Sequence, residues 1–394
     1  MEVKIEKAQA EDRDDVIDLA NYVFSHNRGV TDFPATLPKL YKPEHFMDNT
    51  HYIIREGGRI KASLGAYPLK LEFKSGDVLP GRGIGMVSVH PYCRSRGYMS
   101  KLVTKAINDM KQDGIVFSCL SGDRQRYEYF GFTPTGSCYA FTCYERNVLH
   151  SLGVKWNSNL SLKLVCPDDD KLLDEIYAIH EAKIARIHRR RDRFFDIISS
   201  WRSKVYAVTE GDRFIGYFIC RDLRNGERVI IEINLFDYSR LSEVIGLFMR
   251  ANPKEPIRIN ANLHEGEKLS ALFHFAETHS IVPAYHFAVL DYGKFIEPLL
   301  KLASNIKPLT EGSFSFRVGG STRVCLEVSG GKALVNTDKT GENNNTSELC
   351  LSDLQAQYFL FSPMAEAVFP VIRENNFLRN VLPLPLFYEN TDGI

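Results

Sequence analysis

The stretch Val87-Ser88-Val89-His90-Pro91-Tyr92-Cys93-Arg94-Ser95-Arg96-Gly97-Tyr98-Met99 decides the reading of this chain. It reads as a buried strand, a short basic turn containing a glycine, and the start of a helix. Apolar residues at Met99, Leu102, Val103, Ala106, Ile107 and Met110 then follow helical spacing and define one face. A strand that feeds a glycine-bearing turn into a helix start builds an anion site. The first N–H groups of a helix have no partner within it, and its dipole favours negative charge there. Arg94 and Arg96 add fixed positive charge beside it. Such a turn holds a pyrophosphate; the plainer alternative is a basic strand-to-helix turn with no ligand. There is no G-x-x-x-x-G-K-[ST] loop, and no G-x-G-x-x-G within a strand–helix–strand unit.

Composition narrows the class. The 394 residues suffice for two or three domains. Hydrophobic residues at 44% and charged residues at 25% describe an ordinary soluble globular chain. The 49 basic residues balance the 49 acidic ones, so nothing global points to nucleic acid or an anionic membrane. No apolar run approaches the ~20 residues of a membrane span, and the first residues carry no signal-peptide segment. Eight cysteines are scattered singly with no C-x-x-C. That pattern predicts a reducing, cytoplasmic setting rather than a disulfide framework or zinc site.

Around the turn, a strand at 3–8 precedes a helix at 12–24. A hairpin at 51–67 turns at Gly57-Gly58, and strands at 69–73 and 84–89 follow. After the helix come an apolar strand at 115–120 and a short helix at 127–130. Residues 139–143 read as a further strand. The segment Ser121-Gly122-Asp123-Arg124-Gln125-Arg126-Tyr127-Glu128-Tyr129-Phe130-Gly131-Phe132 follows the 115–120 strand. By itself Tyr127 reads as a core aromatic of a short amphipathic helix.

Two motifs carry a family resemblance. Arg94, Gly97 and Met99 resemble the [QR]-x-x-G-x-[GA] pyrophosphate turn of the GNAT acyltransferases, with Met99 departing from the small third residue. Tyr127-x-x-Phe130-Gly131-Phe132 resembles the enhanced-intracellular-survival (Eis) branch, which tolerates a larger residue at the position of Met99. The resemblance implies an α/β (α+β) fold. Tandem GNAT domains, with mixed central sheets flanked by helices, are followed by an α+β sterol-carrier-protein-like domain. The implied boundaries are 1–150, 151–286 and 287–394. It implies acetyl-CoA as co-substrate, held by Val87, Ser88, Val89, Arg94, Ser95, Arg96, Gly97, Tyr98, Met99, Ser121 and Gly122. The backbone N–H of Val89 then polarises the thioester carbonyl. Tyr127 is the general acid: a phenol of ordinary pKa about 10 lies above a thiol near 8.5, so it can protonate the leaving thiolate once positioned. The carboxylate of Ile394, threaded back into the site, is the base. The acceptor is a primary amine on a small molecule or peptide, such as an aminoglycoside, a lysine side chain or a polyamine. The resemblance also implies a homo-oligomer, trimer or hexamer.

Later segments fit this plan. A strand at 229–235 runs into a helix at 241–249, repeating the strand-to-helix step of the first motif. The intervening Phe236-Asp237-Tyr238-Ser239-Arg240 has no glycine and carries an acid, so one cofactor site per chain is expected. Strands at 287–290, 314–318, 323–328 and 332–336, with helices at 293–302 and 351–360, make up the last region. A polar loop at 340–347 interrupts it. The segment 380–388 is apolar and extended by Pro383 and Pro385, suited to being bound; a frayed tail is the alternative. Arg186-Ile187-His188-Arg189-Arg190-Arg191-Asp192-Arg193 reads as a solvated basic face. The eleven histidines lack metal-ligand spacing, and no metal is expected. Two other functions remain open at this level: an acyl-CoA sensor without turnover, and a lipid-binding or scaffold protein working through its C-terminal region.

Overall fold

A computed structural model describes residues 3–153, 158–223, 225–253, 256–339 and 348–394. The predicted polar loop at 340–347 lies outside them. The architecture is mixed α/β, with three sheets flanked by helices among the described residues.

The first sheet runs in the order Glu6–Lys7, His51–Glu56, Arg59–Phe73, Val78–Val89, Phe117–Leu120, Tyr285–Val289, Thr133–Thr135. Ala185–Ile187 adds to the far part of Arg59–Phe73. The predicted hairpin forms as read, and the two segments at 60–67 and 69–73 join into one strand of 15 residues. The helix Tyr98–Gln112 crosses over between Val78–Val89 and Phe117–Leu120, which pair in parallel. Its buried face is the predicted one: Leu102, Val103, Ala106, Ile107 and Met110 pack on Tyr52, Ile54, Leu64 and Ala66. Each fully buried aliphatic chain there contributes about 1.5–3 kcal/mol of transfer free energy.

The second sheet repeats the plan in the order Thr278–Val282, Cys138–Cys143, Ile257–Ala261, Arg228–Leu235, Arg213–Asp222, Lys204–Glu210, Leu160–Leu164. Arg228–Leu235, the helix Leu241–Ala251 and Ile257–Ala261 form its parallel crossover. A third sheet of four strands, Lys332–Lys339, Thr322–Ser329, Gly312–Val318 and Leu349–Leu351, packs with the helices Tyr292–Ile306 and Asp353–Phe361.

One pairing departs from the sequence reading. The strand expected to continue the first sheet, Cys138–Cys143, pairs with Ile257–Ala261 and Thr278–Val282 in the second. Tyr285–Val289, read as the start of the last region, enters the first sheet between Phe117–Leu120 and Thr133–Thr135. The two sheets thus exchange a strand. Both strands are short and apolar, and alternation within a strand says nothing about which edge it joins.

Candidate active site

The cleft begins where a strand leaves its neighbour. Val78–Val89 pairs with Phe117–Leu120 only from Gly81 to Ile84. On its other side the register against Arg59–Phe73 shifts between Ser63 and Gly65, and Met86 adopts φ +50°. This bulge re-aims the strand. Past it, the His90 N–H bonds Lys61 O at 2.9 Å. Alternation along an antiparallel pair therefore directs the Val89 N–H toward the opened edge. Ser88, between them, is fully buried, and its hydroxyl donates to Met86 O at 3.1 Å.

A 3₁₀ turn at Pro91–Cys93 leads into the exposed residues 94–97. Ser95 and Gly97 have φ +62° and +73°, and Gly97 caps the helix Tyr98–Gln112 in left-handed conformation. The first helical turn holds no acidic residue and no side-chain cap. Its N–H groups and dipole face the cleft mouth.

A cleft of about 690 Å³ gathers Val87, Val89, Arg94, Ser95, Gly97, Tyr98, Met99, Ser121, Gly122, Tyr127 and Ile394 on its walls. These come from three separate parts of the chain, 87–99, 121–127 and 394. Tyr127 is buried and its ring lies across Gly122, where a Cβ would meet it at 2.5 Å. Two residues expected in the site stand outside these walls. Ser88 points into the sheet as described. Arg96 is drawn away by Glu56, with two contacts of 3.1 Å, and Tyr98 also bonds Glu56 through its hydroxyl. The Glu56 carboxyl is held below its ordinary range by the Tyr98 hydrogen bond and by Arg96.

The tail is packed, not frayed. Leu384, Leu386, Tyr388, Thr391, Asp392 and Ile394 are all buried. The Leu384 N–H bonds Leu360 O at 2.8 Å, and Leu386 O accepts from the Ser137 N–H at 3.1 Å. Gly393 O accepts from Lys39 Nζ at 2.8 Å and from Trp201 Nε1 at 2.9 Å. Lys39 also reaches Thr391 O at 3.2 Å, and burial lowers its pKa to about 8. Trp201 has φ +61°, a strained backbone for a bulky side chain. The Ile394 side chain lies on Gly83 and Gly85 of the splayed strand, where any Cβ would overlap it.

What anchors this tail is a residue that the sequence reading assigned to solvent. Arg189 is fully buried. It bonds Asp392 at 2.9 and 3.0 Å, Glu232 at 2.9 Å and Glu389 at 3.0 Å. Lys183 bridges Glu232 and Glu389 at 2.8 and 2.6 Å. Three carboxylates therefore share two cations in a dry environment. Burial works against the Glu232 carboxylate, yet Arg189 and Lys183 overcome it and hold its pKa well below the usual range. Burial, then Glu232, push Glu389 up to about 7. Elsewhere in the basic run Arg186 pairs with Glu72 and Glu181, Arg190 with Asp192, and Arg191 with Asp174, while Arg193 donates to His45 O at 3.4 Å. His180 offers a ring nitrogen within 4.8 Å of ligand atoms of Glu232 and Glu389. Both carboxylates are already ion-paired there, and burial depresses the His180 pKa so that it stays neutral. No spacing of like residues in the sequence marks Arg189; the only signal is the density of arginines around it.

Residues 4–135 match the acetyltransferase (GNAT) domain family. That segment, which carries the splayed strand, the glycine turn and Tyr127, is a GNAT acetyltransferase domain, and the chain is an acyltransferase. Three solved structures extend the likeness of fold over nearly all of it. A GCN5-related N-acetyltransferase from Anabaena variabilis superposes with TM-score 0.63 at 15% identity, covering 98% of each chain. A probable N-acyltransferase from Enterococcus faecalis gives 0.65 at 15%, covering 94% of this chain and 93% of that one. Eis1 from Mycobacterium abscessus gives 0.63 at 13%, covering 98% and 99%. No curated protein matches the chain in sequence. Among the described residues, no helix is long and apolar enough to cross a membrane.

Proposed function

We propose that this chain is an Eis-like N-acetyltransferase that moves acetyl from acetyl-CoA to a primary amine. One observation carries the reading: a single cleft is lined by the glycine turn, Tyr127 and Ile394. The pyrophosphate lies on the Gly97 turn beside Arg94 and the free N–H groups of the helix. The acyl arm runs along the opened edge of the Val78–Val89 strand, and the Val89 N–H stabilises the developing oxyanion. The amine nitrogen attacks the thioester carbonyl. A C–N bond forms, the C–S bond breaks, and the departing sulfur takes its proton from Tyr127. The carboxylate at Ile394 takes the proton that the amine loses.

The domain division in this proposal is 1–150, 151–286 and 287–394, with Cys138–Cys143 contributed to the second sheet and Tyr285–Val289, at the second boundary, contributed to the first, and with the last part sterol-carrier-like. The chain works in the cytoplasm as a homo-oligomer, and sedimentation velocity tests the assembly. The decisive experiment is amine-dependent release of CoA thiol. It should collapse in Tyr127→Phe, and it should fall when a few residues are appended after Ile394. Full turnover in the extended chain removes the carboxylate from the mechanism. CoA binding without release for any amine replaces the enzyme reading with the sensor.

A further inference from the structure

The two ends of the cleft differ in chemistry. The end at the helix start carries the charged side chains: Arg94 and Arg126 are both on its wall. The single acidic side chain among the described lining residues, Asp123, stands beside them and is paired with Arg126 at 3.2 Å. The other end is formed by Phe24, Phe33, Leu37, Met86 and Trp201, which pack in one cluster with Ile394, and by Val23. Phe24 and Phe33 meet edge to face, with centroids 5.0 Å apart at 89°. Phe33, Leu37 and Met86 are buried, so this wall is a fixed surface. Trp201 is held by its bond to Gly393 O.

An acceptor entering this end exchanges water for aromatic and aliphatic surface. Beyond the nitrogen that meets the Ile394 carboxylate, each further ammonium group of a polycation would lose its hydration with no side-chain carboxylate to replace it. A body without further charges gains from the same burial, and aromatic walls favour an edge-to-face partner.

Resting on the acetyltransferase reading above, we propose that the acceptor is a monoamine borne on an aromatic or branched aliphatic body. Aminoglycosides and polyamines are poor acceptors. Phe24 and Phe33 are the residues that set this preference.

The test compares 2-phenylethylamine and tryptamine with spermidine and kanamycin, by thiol release at saturating acetyl-CoA. CoA binding is measured separately by calorimetry. The aromatic monoamines should show kcat/KM at least about tenfold higher, the scale of filling or emptying a small apolar pocket. Phe24→Asp should shift the preference toward spermidine by about tenfold or more while CoA affinity holds. Equal or better use of the polycations overturns this proposal and leaves the acetyltransferase standing. An unshifted preference in Phe24→Asp overturns the role of the aromatic wall. No thiol release with any of the four amines, CoA still bound, overturns the reading on which the proposal rests.

Discussion

The Arg189 guanidinium and the Asp392 carboxylate face each other at 2.9 and 3.0 Å, both buried and 203 positions apart in the chain. Through this pair the segment that follows the Ala185–Ile187 strand fixes residues only two positions from Ile394. Arg189 also holds Glu232 on the second sheet. The wall of the cleft therefore depends on contacts made outside residues 4–135.

Replacing Arg189 with methionine leaves three buried carboxylates and one lysine. Removing one partner of a buried pair costs about 3–5 kcal/mol. The denaturant midpoint should fall accordingly. Asp392→Asn is milder, because it keeps the volume and an acceptor. It should lower kcat several-fold while acetyl-CoA affinity, measured by calorimetry, stays within about twofold. Equal loss of both would place Asp392 in general folding rather than in placing the tail.

Tyr127→Phe removes one hydroxyl from a packed ring. If that hydroxyl protonates the thiolate, kcat should drop about 10²–10⁴-fold, with little change in the dissociation constant for acetyl-CoA. A kcat within threefold of the parent (about 0.6 kcal/mol) returns Tyr127 to the status of a core aromatic.

Gly83→Ala tests the seat of Ile394. The added methyl overlaps the Ile394 side chain. Overpacking of this kind costs about 1–3 kcal/mol. Ile394→Ala should relieve most of that cost in the double variant, giving a coupling energy of about 1 kcal/mol or more in a thermodynamic cycle. Additive effects would mean that the tail leaves this seat in solution.

Glu389 gives a pH signature. Its carboxyl is pushed from the ordinary 4.5 to about 7, so between those values the folded chain binds a proton that the unfolded chain does not. The stability this contributes is fully present below pH 4.5 and is lost as pH rises through 7. Glu389→Gln removes that dependence. The melting temperature of the variant should fall less between pH 5.5 and 8 than that of the parent. Parallel curves would show that Glu389 titrates normally.

The first motif was legible because its causes are local. Six apolar residues from Met99 to Met110 fix the helix face, and Gly97 marks the left-handed cap that starts it. Tyr127 was legible through its spacing to Phe130, Gly131 and Phe132. Arg96, expected beside the phosphate from its sequence neighbours, pairs instead with Glu56, 40 positions away, a partner that local spacing does not reveal. Arg189 was misread for the same reason, since a run of arginines looks solvated until the acids that meet it are found.

The sequence by itself determined the elements and the turn, because helix periodicity, glycine conformation and strand alternation act over a few residues. Only the tertiary structure decided the rest. It settled which sheet receives Cys138–Cys143 and which receives Tyr285–Val289, which arginine is buried, and that Ile394 lies on Gly83 and Gly85. Those choices rest on sheet-edge complementarity and charge balance between segments up to 200 or more positions apart, such as Arg189 and Asp392. Local periodicity carries no record of either.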